Sequence, residues 1–224
     1  MALELNRDAI VWSRTGTPTK PLVILMHGLG SHEQDLADLG DFFPKSFATA
    51  SLRGPLEQMG GYAWFSPGAH TGASQDAATE MADATAAVLD WIDNHIDPET
   101  PIVPLGFSQG GAMVSHLLRT RPSRFIGGVM LSGFIGPEPL ASDPEFQVAQ
   151  LPIFIGRGDQ DPVIPLDRFE YASDWLHERS LLTEVVYNGM AHSVCHPEVV
   201  NVAKFLEFTI SGDNDAFAAF TQRD

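Results

Sequence analysis

A single cysteine, Cys195, occurs in 224 residues. With no second thiol there is no internal disulfide framework, and the composition fits a reducing, cytoplasmic setting. Basic residues are also scarce: 13 Lys and Arg stand against 29 Asp and Glu, a net charge of -16. A field of that sign repels nucleic acid and anionic membrane surfaces, so neither is expected as a partner. The longest uncharged segment, Pro101 to Leu118, is broken by glycines, prolines and polar residues, which argues against stable insertion into a membrane. Met1 to Asp8 lacks the basic stretch and apolar core of a signal peptide. Metal-ligand spacing is missing too. His192 and His196 lie four apart, but Pro197 breaks any helical presentation and no carboxylate cluster accompanies them. No Gly-rich phosphate cradle or dinucleotide fingerprint occurs, so neither metal nor cofactor is expected.

What is present is ordinary for a globular chain: 44% hydrophobic and 19% charged residues, enough for one domain spanning residues 1–224 with a sizeable core. Apolar runs alternate with amphipathic stretches. Ile10-Val11-Trp12 reads as an early edge strand, and Leu22 to Met26, continuously apolar, as a strand covered on both faces. Glu33 to Phe43 reads as a short helix and Phe47 to Leu52 as a weaker strand. Arg53 to Thr71, rich in Gly and Pro, reads as loop. Its aromatic knot, Tyr62-Ala63-Trp64-Phe65, either folds beneath the loop or lines a pocket. Gln75 to His95 carries Met81, Ala84, Val88, Trp91 and His95 at helical spacing.

Further strands are expected at Pro101 to Leu105, Val129 to Leu131, Ile153 to Ile155 and Glu184 to Tyr187, the last near a sheet edge. Pro104 should cause a local irregularity, because it removes a ladder donor. Leu166 to Arg179 reads as a helix with Leu166, Phe169, Ala172 and Leu176 inward. Pro197 and Glu198 suit the first turn of a last helix, with Val199, Val202, Leu206 and Ile210 inward. The tail, 211–224, docks on the surface or frays. Strands alternating with helices imply a mostly parallel sheet joined by right-handed crossovers.

The chemistry centres on Gly106-Phe107-Ser108-Gln109-Gly110-Gly111, between an apolar strand and a helix. Gly-x-Ser-x-Gly in that setting is the nucleophile-elbow pattern. A serine in so tight a turn needs neighbours without side chains two positions away on either side. Its hydroxyl then stands above the sheet end, and the next N–H points to where an oxyanion would form. A serine hydroxyl needs a base in contact and an acid behind it. In the order Ser, Asp, His, strand ends offer Asp159 and Asp161 after Ile155, and His192 after Tyr187. His27 at a strand end reads as a structural histidine bonded to backbone. Cys195 reads as a small hydrophobe, since the elbow already holds Ser108.

These motifs resemble the phospholipase/carboxylesterase family of α/β-hydrolases, which includes acyl-protein thioesterases. His27-Gly28-Leu29-Gly30, Arg53-Gly54-Pro55, Gly61 to Phe65, Gly106 to Gly111, Asp161 to Pro165 and Ala191 to Val194 match family blocks in family order. The resemblance implies an α/β-hydrolase fold, and the segments between core elements are too short for a large cap domain. It implies Ser108 as nucleophile, His192 as general base and acid, and Asp161 as the residue orienting His192. Asp159 then shapes the turn as an Asx residue. Backbone N–H groups of Leu29 and Gln109 would form the oxyanion hole. Leu29, Trp64, Phe65, Phe134 and Val163 are the candidate apolar substrate surface. The expected activity is a serine carboxylesterase acting on short-to-medium acyl or aryl esters of small molecules. Thioesterase and lysophospholipase activities are the alternatives within the family; outside it stand a catalytically silent binding protein and a serine peptidase of the same fold, the latter expected to need an additional domain or cap. Family relatives often pair, so a homodimer is compatible with this reading.

Overall fold

A computed structural model describes residues 3–13, 20–67, 75–136 and 139–212. The tail from residue 213 lies outside the described residues, as does the end of the Arg53 to Thr71 stretch. The core is a seven-stranded sheet formed by β1 (Val11–Trp12), β2 (Leu22–Met26), β3 (Ala48–Leu52), β6 (Ile102–Phe107), β7 (Gly128–Leu131), β8 (Pro152–Gly158) and β9 (Leu181–Tyr187). Their order across the sheet is β1-β3-β2-β6-β7-β8-β9. Only β1 is antiparallel to its neighbour.

The continuous apolar runs follow from helices covering both faces. Along β2, Leu22, Ile24 and Met26 enter one core, while Val23 and Leu25 enter the other. The first core is covered by α1 (Gln75–His95), α2 (Gln109–Thr120), α3 (Asp143–Ala149) and α4 (Leu166–His177); the second lies under α5 (His196–Ser211). Burying such side chains stabilises each by about 1.5–3 kcal/mol. At the sheet edge β9 alternates between covered and open residues. Among the described residues no helix is long and apolar enough to cross a membrane.

Several expectations are corrected. Glu33 to Phe43 forms only a 3₁₀ turn at Ala37–Asp41. Glu33 is instead drawn to Arg53, and Gly40 packs so tightly that a Cβ there would sit 3.1 Å from the Thr49 side chain. The supposed loop after Arg53 contains a hairpin, β4 (Leu56–Gln58) with β5 (Gly61–Ala63). Pro104 causes no break in register: it pairs opposite Ile24 within an unbroken β2–β6 ladder, and β7 joins β6 only from Leu105 onward. Leu166, His95 and Ile210 face solvent rather than the core. Leu166 and Ile210 sit in the terminal turns of their helices. α3 went unforeseen, although Ser142, Pro144 and Glu145 make a helix-start signal.

Candidate active site

The elbow takes the form that its glycines require. Ser108 sits between β6 and α2 at φ 54°, ψ -114°, a strained backbone state for a residue with a Cβ. A Cβ at Gly106 would lie 2.1 Å from the Gly110 backbone, and one at Gly110 would lie 1.9 Å from Met26 O. Only glycine permits that closeness. The Ser108 N–H donates to Leu131 O at 2.8 Å, so the end of β7 helps to hold the turn.

The acid and the histidine arrive on neighbouring strands. The loops after β8 and β9 are bound to each other: Asp159 N–H donates to Tyr187 O at 3.2 Å and Gln160 N–H to Met190 O at 3.0 Å. Asp159 Oδ1 accepts from Gly189 N–H at 2.7 Å. Asp159 is therefore a tie between two loops rather than the local Asx residue expected. The Asx role belongs to Asp161, whose Oδ1 accepts from Val163 and Ile164 N–H at 2.8 and 3.0 Å. Its other oxygen, Oδ2, lies 2.7 Å from His192 Nδ1. Of the two candidate acids, the structure brings Asp161 to the histidine. Burial pushes the Asp161 carboxyl up, but the bonds from His192, Ile164 and Val163 outweigh it and hold it below its ordinary value. An ionised partner on Nδ1 leaves the other ring nitrogen as acceptor.

Ser108 and His192 open on one pocket of about 250 Å³, with Phe107 packed against the imidazole at 4.8 Å between ring centroids. Among the described residues the Ser108 hydroxyl makes no hydrogen bond; catalytic bonds of this kind commonly tighten only when substrate arrives. Leu29 and Gln109, the two oxyanion candidates, border the same pocket. Gln109 is the first residue of α2, so its N–H has no carbonyl a turn earlier to bond.

Phe65, Phe134 and Val163 line the pocket as expected, while Trp64 does not. Trp64 is fully buried, its indole N–H donating to His27 O at 2.9 Å. The aromatic knot does both: Trp64 and Phe65 are buried in one core cluster, and of the two only Phe65 also borders the pocket. The Gln109 side chain secures this segment, accepting from Trp64 N–H at 2.8 Å and donating to Phe65 O at 2.6 Å. Met59, at φ 53° in the hairpin turn, also reaches the pocket, a contribution no periodicity announces. His27 is structural: Nδ1 donates to Gly28 O and Nε2 accepts from Gly54 N–H. Burial lowers its pKa, in keeping with a neutral ring that accepts on one side.

A parallel sheet covered on both faces, with a strained serine at a strand–helix elbow, defines an α/β-hydrolase. The phospholipase/carboxylesterase family profile matches residues 7–210, and the chain belongs to that family. It is 30% identical to acyl-protein thioesterase 1 of Kluyveromyces lactis over 89% of this chain and 96% of that protein. In three dimensions it resembles a Bacillus cereus carboxylesterase at TM-score 0.74 and 19% identity, covering 90% of this chain and 94% of the other. The acyl-protein thioesterase 2 of Zea mays superposes at TM-score 0.72 and 18% identity, covering 89% and 98% respectively. The relatives it matches in this hydrolase family carry the names of esterases and thioesterases.

Proposed function

We propose that this protein hydrolyses carboxylic esters of short-to-medium acyl or aryl groups through an acyl-serine intermediate. The observation that carries the reading is the 2.7 Å Asp161–His192 contact, opening on the same pocket as the strained Ser108. In this scheme His192 accepts the Ser108 proton while Oγ attacks the ester carbonyl carbon. The N–H groups of Leu29 and Gln109 receive the oxyanion, each such donor typically contributing ~10²–10³ in rate. His192 passes its proton to the departing alcohol, then activates water to release the acid and restore the hydroxyl.

The pocket supports a reading of small substrates. At about 250 Å³ it lies below the ~300–1,000 Å³ of drug-sized sites. Its walls include Leu29, Phe65, Phe134 and Val163, with no Lys or Arg among the lining residues described. That favours small apolar acyl or aryl groups and gives a lysophospholipid phosphate no cation to meet. A thioester fits the same machinery, and the sequence likeness to an acyl-protein thioesterase supports it as the second reading.

Ser108→Ala is expected to abolish p-nitrophenyl butyrate hydrolysis while leaving the unfolding midpoint nearly unchanged. Undiminished turnover would remove Ser108 from the mechanism, and a fluorophosphonate that failed to label it would favour a silent binding protein. Matched oxygen esters and thioesters of increasing acyl length, compared by kcat/KM, separate the two enzymatic readings.

A further inference from the structure

The loop bearing Leu29 leaves β2 with no strand or helix of its own, so its shape is set from outside. Gly30 N–H donates to Tyr62 O at 2.8 Å, and Tyr62 N–H donates to Ser31 O at 2.7 Å. These two bonds clip the loop to β5. The fit leaves no room for a side chain, since a Cβ at Gly61 would lie 2.2 Å from Gly30 O. Yet β4 and β5 are strands of three residues each, and a lone hairpin of that size is marginal in water. Something must hold Tyr62.

That something is Arg53, the first residue after β3. Its Nη1 donates to the Tyr62 hydroxyl at 3.0 Å. The guanidinium also lies over the same ring, with Cζ 4.3 Å from the centroid. Its Nε and Nη2 donate to the two oxygens of Glu33, each at 2.6 Å. Glu33 lies two residues beyond Ser31 and is almost fully buried. The circuit closes: loop to Tyr62 through backbone, Tyr62 to Arg53 through the phenol, and Arg53 back to the loop through Glu33. The base of the loop is bound to the same segment, because His27 Nε2 accepts from Gly54 N–H.

We propose that Arg53 is a positioning residue for the oxyanion hole, holding the Leu29 N–H in place by bracing Tyr62 and Glu33 together. This rests on the proposed role of Leu29. A planar fork is needed, because one side chain must meet a carboxylate in two bonds and a phenol in a third; lysine offers no such geometry. The hydrogen bonds from Arg53 also hold the Glu33 carboxyl below its usual range, so the brace stays charged.

The test compares Arg53→Met, Arg53→Lys and Tyr62→Phe with wild type on p-nitrophenyl butyrate, with active sites titrated by fluorophosphonate so that kcat refers to competent Ser108 alone. Arg53→Met should lower kcat by about 10–100-fold, less than or equal to the loss of a whole oxyanion donor, with KM within about twofold. Affinity for a trifluoromethyl ketone, which needs the oxyanion donors once Ser108 has added, should fall in parallel. Arg53→Lys should recover little, and Tyr62→Phe should cost a smaller share of kcat. If Arg53→Met does not fold, Tyr62→Phe and Arg53→Lys carry the same test. For Arg53→Met, or for Arg53→Lys where the methionine variant does not fold, a kcat per titrated site within threefold of wild type, or a loss seen only in KM, would overturn the proposal. Because titration reports Ser108 independently, failure of the brace is distinguishable from failure of the serine mechanism.

Discussion

Glu198 sits in the first turn of α5 with no exposed surface. One of its oxygens occupies the space that a side chain at Gly156 would need, 2.3 Å from the position of a Cβ there. Among the described residues neither oxygen has a hydrogen-bond partner. Burial dominates and pushes the carboxyl up to about 8, against a smaller opposing pull from the Cys195 backbone N–H. Tyr187 is raised as well, by burial first and then by the Glu198 charge. At pH 7 the folded protein therefore keeps the Glu198 proton, while the unfolded chain, with an ordinary value of 4.5, has lost it.

The sign follows from linkage. A raised folded-state pKa means stability that is fully present below pH 4.5 and lost as pH rises toward about 8. The loss is about 1.4 kcal/mol per pH unit, so the 2.5 units from 4.5 to 7 amount to roughly 3 kcal/mol. Glu198→Gln has nearly the same shape and never ionises. It should match wild type near pH 4 and exceed it by roughly 3 kcal/mol at pH 7, a large part of a typical 5–15 kcal/mol total. Urea unfolding from pH 4 to 8.5 measures this, and subtracting the two curves removes every other titrating group. A flat difference, or a glutamine variant less stable at pH 7, would mean an ionised and partnered carboxylate, refuting the reasoning.

The two loop acids should separate cleanly in single-turnover and steady-state kinetics. Asp161→Asn removes the charge behind His192 and should lower kcat by up to about 10⁴, the cost of the comparable change in a well-studied triad. Asp159→Asn keeps an acceptor for Gly189 N–H and should leave kcat within a few-fold; the reverse pattern would exchange their roles. In the elbow, Gly110→Ala forces a methyl to 1.9 Å from Met26 O. Backbone that cannot yield there should cost at least about 3 kcal/mol by denaturant unfolding, beyond ordinary overpacking. A variant of wild-type stability would show the elbow to be looser than its contacts imply.

The sheet was legible because β2 and β7 are buried and apolar throughout and β6 and β8 nearly so, Arg157 near the end of β8 being the one charged residue among them, a pattern local composition reveals. The hairpin was not, because Leu56-Glu57-Gln58 and Gly61-Tyr62-Ala63 hold no periodic signal and exist as strands through pairing, including the bridge from Tyr62 to Ser31. Trp64 and Phe65 are adjacent and chemically alike, so composition cannot say which faces the pocket. Helical spacing likewise continues through Leu166 and Ile210, which the fold leaves exposed in terminal turns. Glu198 carries no sign of burial at all; only Gly156 on a different element makes room for it.

The elbow glycines, the order of serine, acid and histidine, and the absence of cysteine pairs and basic patches are properties of the chain, since each concerns residue type and local spacing. Which aspartate meets His192 depends on the paired loops after β8 and β9. How Arg53 comes to grip Tyr62 and Glu33, and why a glutamate lies where water cannot reach, depend on packing between distant segments. Those distances follow from how strand ends line up in one sheet, and no neighbouring residue encodes them.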